Sequence, residues 1–179
     1  AELVRLASSF RTMQVSLQDH IQNLMETTAA RERMAGELQV AHNIQMGILP
    51  KIFPPFPARH DLDVFALIEP AREVGGDFYD FFFIDDNHFG FVIGDVSGKG
   101  VPASLYMAVA KTLLKASAEP GLEPGAILEK VNAALSEGDN RSMFVTVFLG
   151  ILNVVTGKLA YANGGHNRPY LLLGETVTE

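Results

Sequence analysis

Residues 74–100 read VGGDFYDFFFIDDNHFGFVIGDVSGKG. Two runs rich in aromatic and β-branched residues, 77–85 and 88–96, meet at a polar stretch of Asp, Asp, Asn and His. Such runs, bounded by turn formers, predict a β-hairpin with its turn near residues 85–88. Asp77 opens the first run and Asp95 closes the second, 18 residues later, so the hairpin carries both carboxylates to one edge. Gly75 and Gly76 precede the first, and Gly98 and Gly100 follow the second, leaving backbone that can turn sharply and approach a ligand. Paired carboxylates with backbone carbonyls and water suit Mg²⁺ or Mn²⁺. An alternative stays open on spacing alone. Each Asp is then a turn or cap residue, with Asp95 accepting from N–H groups at the start of the next helix. A phosphate-cradling P-loop does not fit. Gly94 and Gly98 are separated by three residues rather than four, and Gly100 follows Lys99 where a hydroxyl is needed.

Outward from this hairpin, DLDVFALIEPA (61–71), MFVTVFLGILNVV (143–155) and KLAYANGG (158–165) also read as strands. VPASLYMAVAKTLLKASA (101–118) predicts a helix with Pro102 in its first turn, and EPGAILEKVNAALSEG (123–138) a second helix ending at Gly138. Strands in succession, two helices, then strands again predict an antiparallel sheet with helices packed on it, an α+β arrangement rather than alternating βαβ units. Residues 2–49 follow different rules. They hold no proline, and apolar residues step by threes and fours through Leu3, Leu6, Phe10, Met13, Leu17, Leu24, Met34, Leu38, Ala41 and Ile48. His20, Thr27, Arg31 and Gln45 are polar interruptions on the same ladder. This periodicity predicts one helix of about 70 Å that pairs with a parallel copy of itself through residues 3–48, or else packs on its own domain. LPKIFPPFP (49–57) ends it, because closely spaced prolines forbid helix and favour an extended connector.

The bulk numbers agree. With 47% hydrophobic and 20% charged residues, 179 residues suit one globular domain with an appendage. A net charge of −7 argues against nucleic-acid binding. The absence of cysteine excludes disulfides, thiolate zinc sites and a cysteine nucleophile, and fits a cytoplasmic setting. No run reaches the roughly 18 apolar residues that span a bilayer. YANGGHNRP (161–169) forms a polar turn after a strand; Asn163, Gly165 and His166 line the same cleft on one reading and make a simple Asn-Gly hairpin turn on the other. His166 has no second histidine at ligand spacing, and His20, His42, His60 and His88 are scattered and expected to be exposed.

With these motifs in place, the chain resembles the SpoIIE/RsbU branch of the metal-dependent (PPM-type) serine/threonine protein phosphatases. The matching stretches, in family order, are AHNIQMGILP (41–50), EVGGDFYDFF (73–82), GDVSGKGVPASLYMA (94–108), SMFVTVFLGIL (142–152) and YANGGHNRPYLL (161–172). Residues 1–18 look like the last helix of a HAMP signalling module, residues 19–50 a coiled-coil linker, and 51–179 part of a phosphatase domain. The resemblance implies an α-β-β-α sandwich of antiparallel sheets with two Mn²⁺ or Mg²⁺ ions at one edge. Asp77 and Asp95 would be metal ligands and catalytic residues, with Asp95 bridging both ions and the Val96 carbonyl a further ligand. Arg72 falls where some relatives place a phosphate-binding arginine, and Gly98, Asn163, Gly165 and His166 would border the substrate. A water between the cations would attack phosphorus in line. The implied substrate is a phosphorylated anti-sigma-factor antagonist, and the parent chain would be membrane-anchored only through upstream segments.

The sequence ends at GETVTE, before the family's later aspartate motifs, so this stretch is expected to hold part of the metal site and to turn over weakly or not at all. Two other readings compete. REVGGDFYD resembles the signature of diguanylate cyclases, but Phe78 stands where that chemistry wants a second carboxylate. A non-enzymatic dimeric relay would account for the long amphipathic helix.

Overall fold

The computed structural model describes residues 2–70, 73–137 and 143–178. The chain divides into two compact units, Ala1–Val40 and Ala41–Glu179. Helix α1 runs from Glu2 to Ile48. Within the first unit its apolar ladder is bare: Leu6, Phe10, Met13, Leu17, Leu24 and Met34 all face outward.

The second unit takes the last turns of α1 and continues with β1 (Phe78–Phe83), β2 (His88–Val96), α2 (Val101–Ser117), α3 (Pro124–Ser136), β3 (Val145–Asn153), β4 (Leu159–Gly164), β5 (Leu171–Leu173) and β6 (Thr176–Thr178). Strands β1–β4 form an antiparallel sheet in sequence order, and β5 and β6 a separate two-stranded hairpin. The α+β expectation therefore holds. The predicted β1–β2 hairpin forms in a single register, from Phe83 opposite Phe89 to Phe78 opposite Gly94.

Alternation fixes what each face does. One face presents Phe78, Val92, Val96, Val147, Leu149 and Ile151 to the helices. Ala103, Met107, Ala110 and Leu114 of α2 and Ile127 and Val131 of α3, spaced three or four apart, close over them. A buried ion pair lies in this layer: Lys111 Nζ of α2 donates to Asp80 Oδ2 of β1 at 2.6 Å. The opposite face is aromatic, with Phe83, Phe89, Phe91, Phe148 and Tyr161 in successive ring contacts and Phe81 stacked on Tyr79. Phe53 and Phe56, from the proline-rich connector, pack against its β1 end. Arg59 lies over the Phe83 ring and donates to Asp61 and to the Asp86 carbonyl, pinning that connector to the hairpin turn.

Three strand glycines each sit opposite a phenylalanine: Gly90 opposite Phe82, Gly94 opposite Phe78, and Gly150 opposite Phe91. The rings occupy the room a Cβ would need; one added at Gly150 would stand 2.3 Å from Phe91 Cζ.

Residues 61–70 correct the sequence reading. Their exposure alternates as a strand's does, but they join no ladder among the described residues. Alternation reports two unlike faces, whereas a strand also needs a partner edge for its backbone groups. Two histidines also differ from expectation. His88 is half-buried and bonds the Asp85 carboxylate through Nδ1, and His42 is half-buried with Nδ1 against the Glu73 carbonyl. Gly138, read as a helix cap, and Arg72 lie outside the described residues.

Candidate metal centre at the hairpin edge

The open end of the β1–β2 hairpin places Asp77, one residue before β1, beside Asp95, the penultimate residue of β2. Their carboxyl groups lie close enough to act on one another. Partial burial first, then the charge and hydrogen-bonding influence of Asp95, raise the Asp77 carboxyl above its ordinary value, while nearby His166 pulls the other way. Two carboxylates placed this close repel one another, a conflict that a divalent ion would relieve.

The surroundings are built from bare backbone. Gly98 and Gly100 have φ of 92° and 77°, a left-handed conformation that turns β2 into α2 around the site at little steric cost. Gly76 accepts a hydrogen bond from Val96 N–H at 3.3 Å. A Cβ at Gly76 would stand 2.6 Å from the Val96 carbonyl oxygen, so only glycine lets the strand entry approach β2 this closely. Asp77, Asp95, Val96 and Gly98 share a cavity of about 420 Å³ with Gln45, Gly75, Gly76 and Lys99.

The other sequence-selected residues gather nearby. Asn163 Oδ1 accepts from His166 N–H at 2.7 Å and its Nδ2 donates to the His166 carbonyl, a compact turn completed by Gly165 with φ 79°. His166 Nδ1 is 3.0 Å from Thr146 Oγ1, which orients the ring, and Thr146 is the register partner of Asp95. Asp77, Asp95 and the 163–166 turn thus converge. Among the described residues no group of three or more His, Cys, Asp and Glu side chains forms a ligand cluster. The residues present fit one side of a dication site: two carboxylates, with the Val96 carbonyl on the same cavity.

Sequence reasoning missed Gln45, which it treated as an interruption of the apolar ladder. The side chain is buried, at 5% exposure; its Nε2 donates to the Gly75 carbonyl at 2.7 Å and its Oε1 accepts from Gly75 N–H at 3.2 Å. Its burial, next on the ladder to half-buried Ala41 and exposed Ile48, is a tertiary property that the periodicity does not carry.

Comparison with known proteins bears on the fold. The chain is similar to the SiaA PP2C domain of Pseudomonas aeruginosa, with a TM-score of 0.64 and 26% identity over 75% of this chain and 55% of that one. It is similar in fold to the PP2C phosphatase domain of SpoIIE from Bacillus subtilis, with a TM-score of 0.52 and 20% identity over 57% of this chain and 30% of that one. The fold is that of a PPM-type (PP2C) phosphatase domain. The profile of the family "Stage II sporulation protein E (SpoIIE)" matches residues 85–179, and the chain belongs to that family. Among curated relatives, phosphoserine phosphatase RsbU of Bacillus subtilis (strain 168) is 32% identical over 136 residues, 76% of this chain and 39% of that protein. Protein IcfG of Synechocystis sp. is 29% identical over 189 residues, 88% of this chain and 29% of that protein. The chain therefore spans well under half the length of either relative.

Proposed function

We propose that this chain contributes to a phosphatase that hydrolyses phosphoserine or phosphothreonine on a small regulatory protein of the anti-sigma-factor-antagonist kind. The observation that carries the reading is the Asp77–Asp95 pair, two carboxyl groups brought together at a glycine-lined edge. Phosphoserine phosphatase RsbU and phosphoserine phosphatase RsbP of Bacillus subtilis, both similar to this chain, support the substrate class. Asp77, Asp95 and the Val96 carbonyl would hold Mn²⁺ or Mg²⁺. A bound cation of this type supplies Lewis acidity toward phosphoryl oxygens and lowers the pKa of water. The protein's own contribution is orientation. The hairpin register keeps the two carboxylates abreast, Gly98 leaves the backbone open to an incoming phosphoryl group, and the Asn163–Gly165–His166 turn brings His166 near Asp77. Arg72 is assigned to substrate binding by resemblance alone.

The test is hydrolysis of a phosphoserine protein with Mn²⁺ by the full chain and by Asp95→Asn, with Mn²⁺ affinity read in parallel because turnover by this stretch is expected to be weak. Loss of turnover of about 100-fold or more supports the reading, since removing one key electrostatic group costs on that order. Undiminished turnover refutes it.

A second reading, a dimeric relay through residues 3–48, is favoured by the bare ladder from Leu3 to Met34. The two are compatible if α1 pairs with a second copy and transmits its state to the hairpin edge.

A further inference from the structure

Gln45 makes a pair of bonds that a neighbouring β-strand would ordinarily make. Its amide donates to the Gly75 carbonyl and accepts from the Gly75 N–H, at 2.7 and 3.2 Å. The side chain thus stands in for a strand edge along a segment that has entered no ladder of its own. The other side of that segment is fixed as well, because Gly76 accepts from Val96 N–H and leaves no room for a Cβ against the Val96 carbonyl. Residues 75–76 are therefore held between a side chain of α1 and the end of β2, and the next residue is Asp77. Packing does not do this work at Gly75: a Cβ there would meet no atom within 4 Å, and its φ is not in the left-handed region. What holds Gly75 in place is the amide pair. Two further contacts run alongside, from His42 to the Glu73 carbonyl and from Tyr79 Oη to the Pro50 carbonyl.

We infer that Gln45 is a positioning residue, whose amide fixes the backbone at Gly75 and so sets the height at which the Asp77 carboxylate meets Asp95 and the Val96 carbonyl. The inference rests on Asp77 and Asp95 being cation ligands, and it adds that their affinity depends on a side chain of α1. A second-layer partner of this kind typically changes metal affinity by about 10- to 100-fold.

The experiment uses the full chain and Mn²⁺, with affinity read from the EPR signal of the free ion and backbone protection at residues 75–77 read by hydrogen exchange. Gln45→Met fills similar volume without the amide; Gln45→Glu keeps the acceptor for Gly75 N–H and loses the donor. Gly47→Ala alters α1 two residues further on, outside the cavity, where an added Cβ meets no atom within 4 Å. Expected are weakening of Mn²⁺ binding by about 10-fold or more and faster exchange at 75–77 in Gln45→Met, a smaller effect in Gln45→Glu, and affinity within about twofold of the parent in Gly47→Ala. Should Gln45→Met fail to fold, Gln45→Glu against Gly47→Ala decides on the same readouts. Parent-like affinity and exchange in the Gln45 variants, or equal damage from Gly47→Ala, overturns the inference. If Asp77→Asn and Asp95→Asn leave Mn²⁺ affinity unchanged, the cation reading itself is overturned and this role for Gln45 goes with it.

Discussion

The tension at the site is carried by one residue. Because the folded protein raises the Asp77 carboxyl above its ordinary value of 3.8, the folded state holds that proton more tightly than the unfolded chain does. The sign follows: the contribution to stability is fully present below the unfolded value and is lost as pH rises through the folded one. Asp77→Asn, freed of this conflict, is expected to melt above the parent in cation-free buffer at neutral pH. The gap should close on acidification toward 3.8, as followed by circular dichroism. Gly76→Ala has the opposite character. Its Cβ would press on Val96 O at 2.6 Å and Val96 Cβ at 2.9 Å. Overpacking of this kind costs about 1–3 kcal/mol, so a lower midpoint together with weaker Mn²⁺ binding is expected. The Lys111–Asp80 pair lies deeper, with side chains 10% and 3% exposed. Lys111→Ala strands a buried carboxylate and should cost about 3–5 kcal/mol in urea unfolding, without altering the residues at the hairpin edge.

Among the elements, the β1–β2 hairpin was the most legible in the sequence. Its strands announce themselves by composition, its turn by Asp-Asp-Asn, and the convergence of Asp77 with Asp95 follows from counting residues. Residues 61–70 were misread because alternation is a property of one segment and pairing a property of two. Gln45 was invisible for a related reason: on a helical ladder a buried glutamine and an exposed one look alike, and only the chain position of its partner, Gly75, distinguishes them. Arg72 was selected by resemblance, and neither the spacing nor the described residues speak to its role. For α1, the reading of a paired helix makes its own prediction. Replacing Leu17 and Leu24, both 58–59% exposed in a single copy, with Glu should leave a dimeric parent monomeric in sedimentation analysis and reduce its helical signal, since a lone helix with no partner for its apolar stripe gains little from packing.

At the scale of the molecule, a cation held as proposed by Asp77 and Asp95 would link binding to folding. An ion held only by the folded state stabilises it by about 2.7 kcal/mol at a concentration 100 times its dissociation constant. Scanning calorimetry of the full chain should therefore register a higher midpoint with Mn²⁺, and Asp95→Asn should erase most of the rise. The glycine and phenylalanine pairs across β1, β2 and β3 bear on how such a domain can change over time. Each ring fills a slot that its opposite residue leaves vacant, so neither member can drift alone: a larger residue at position 90, 94 or 150 calls for a smaller one at 82, 78 or 91. A slide of the strands by two residues would drive rings into occupied slots. The aromatic content of this sheet thus works as a set of keys, cut so that the two aspartates at its far end come level in one alignment and no other.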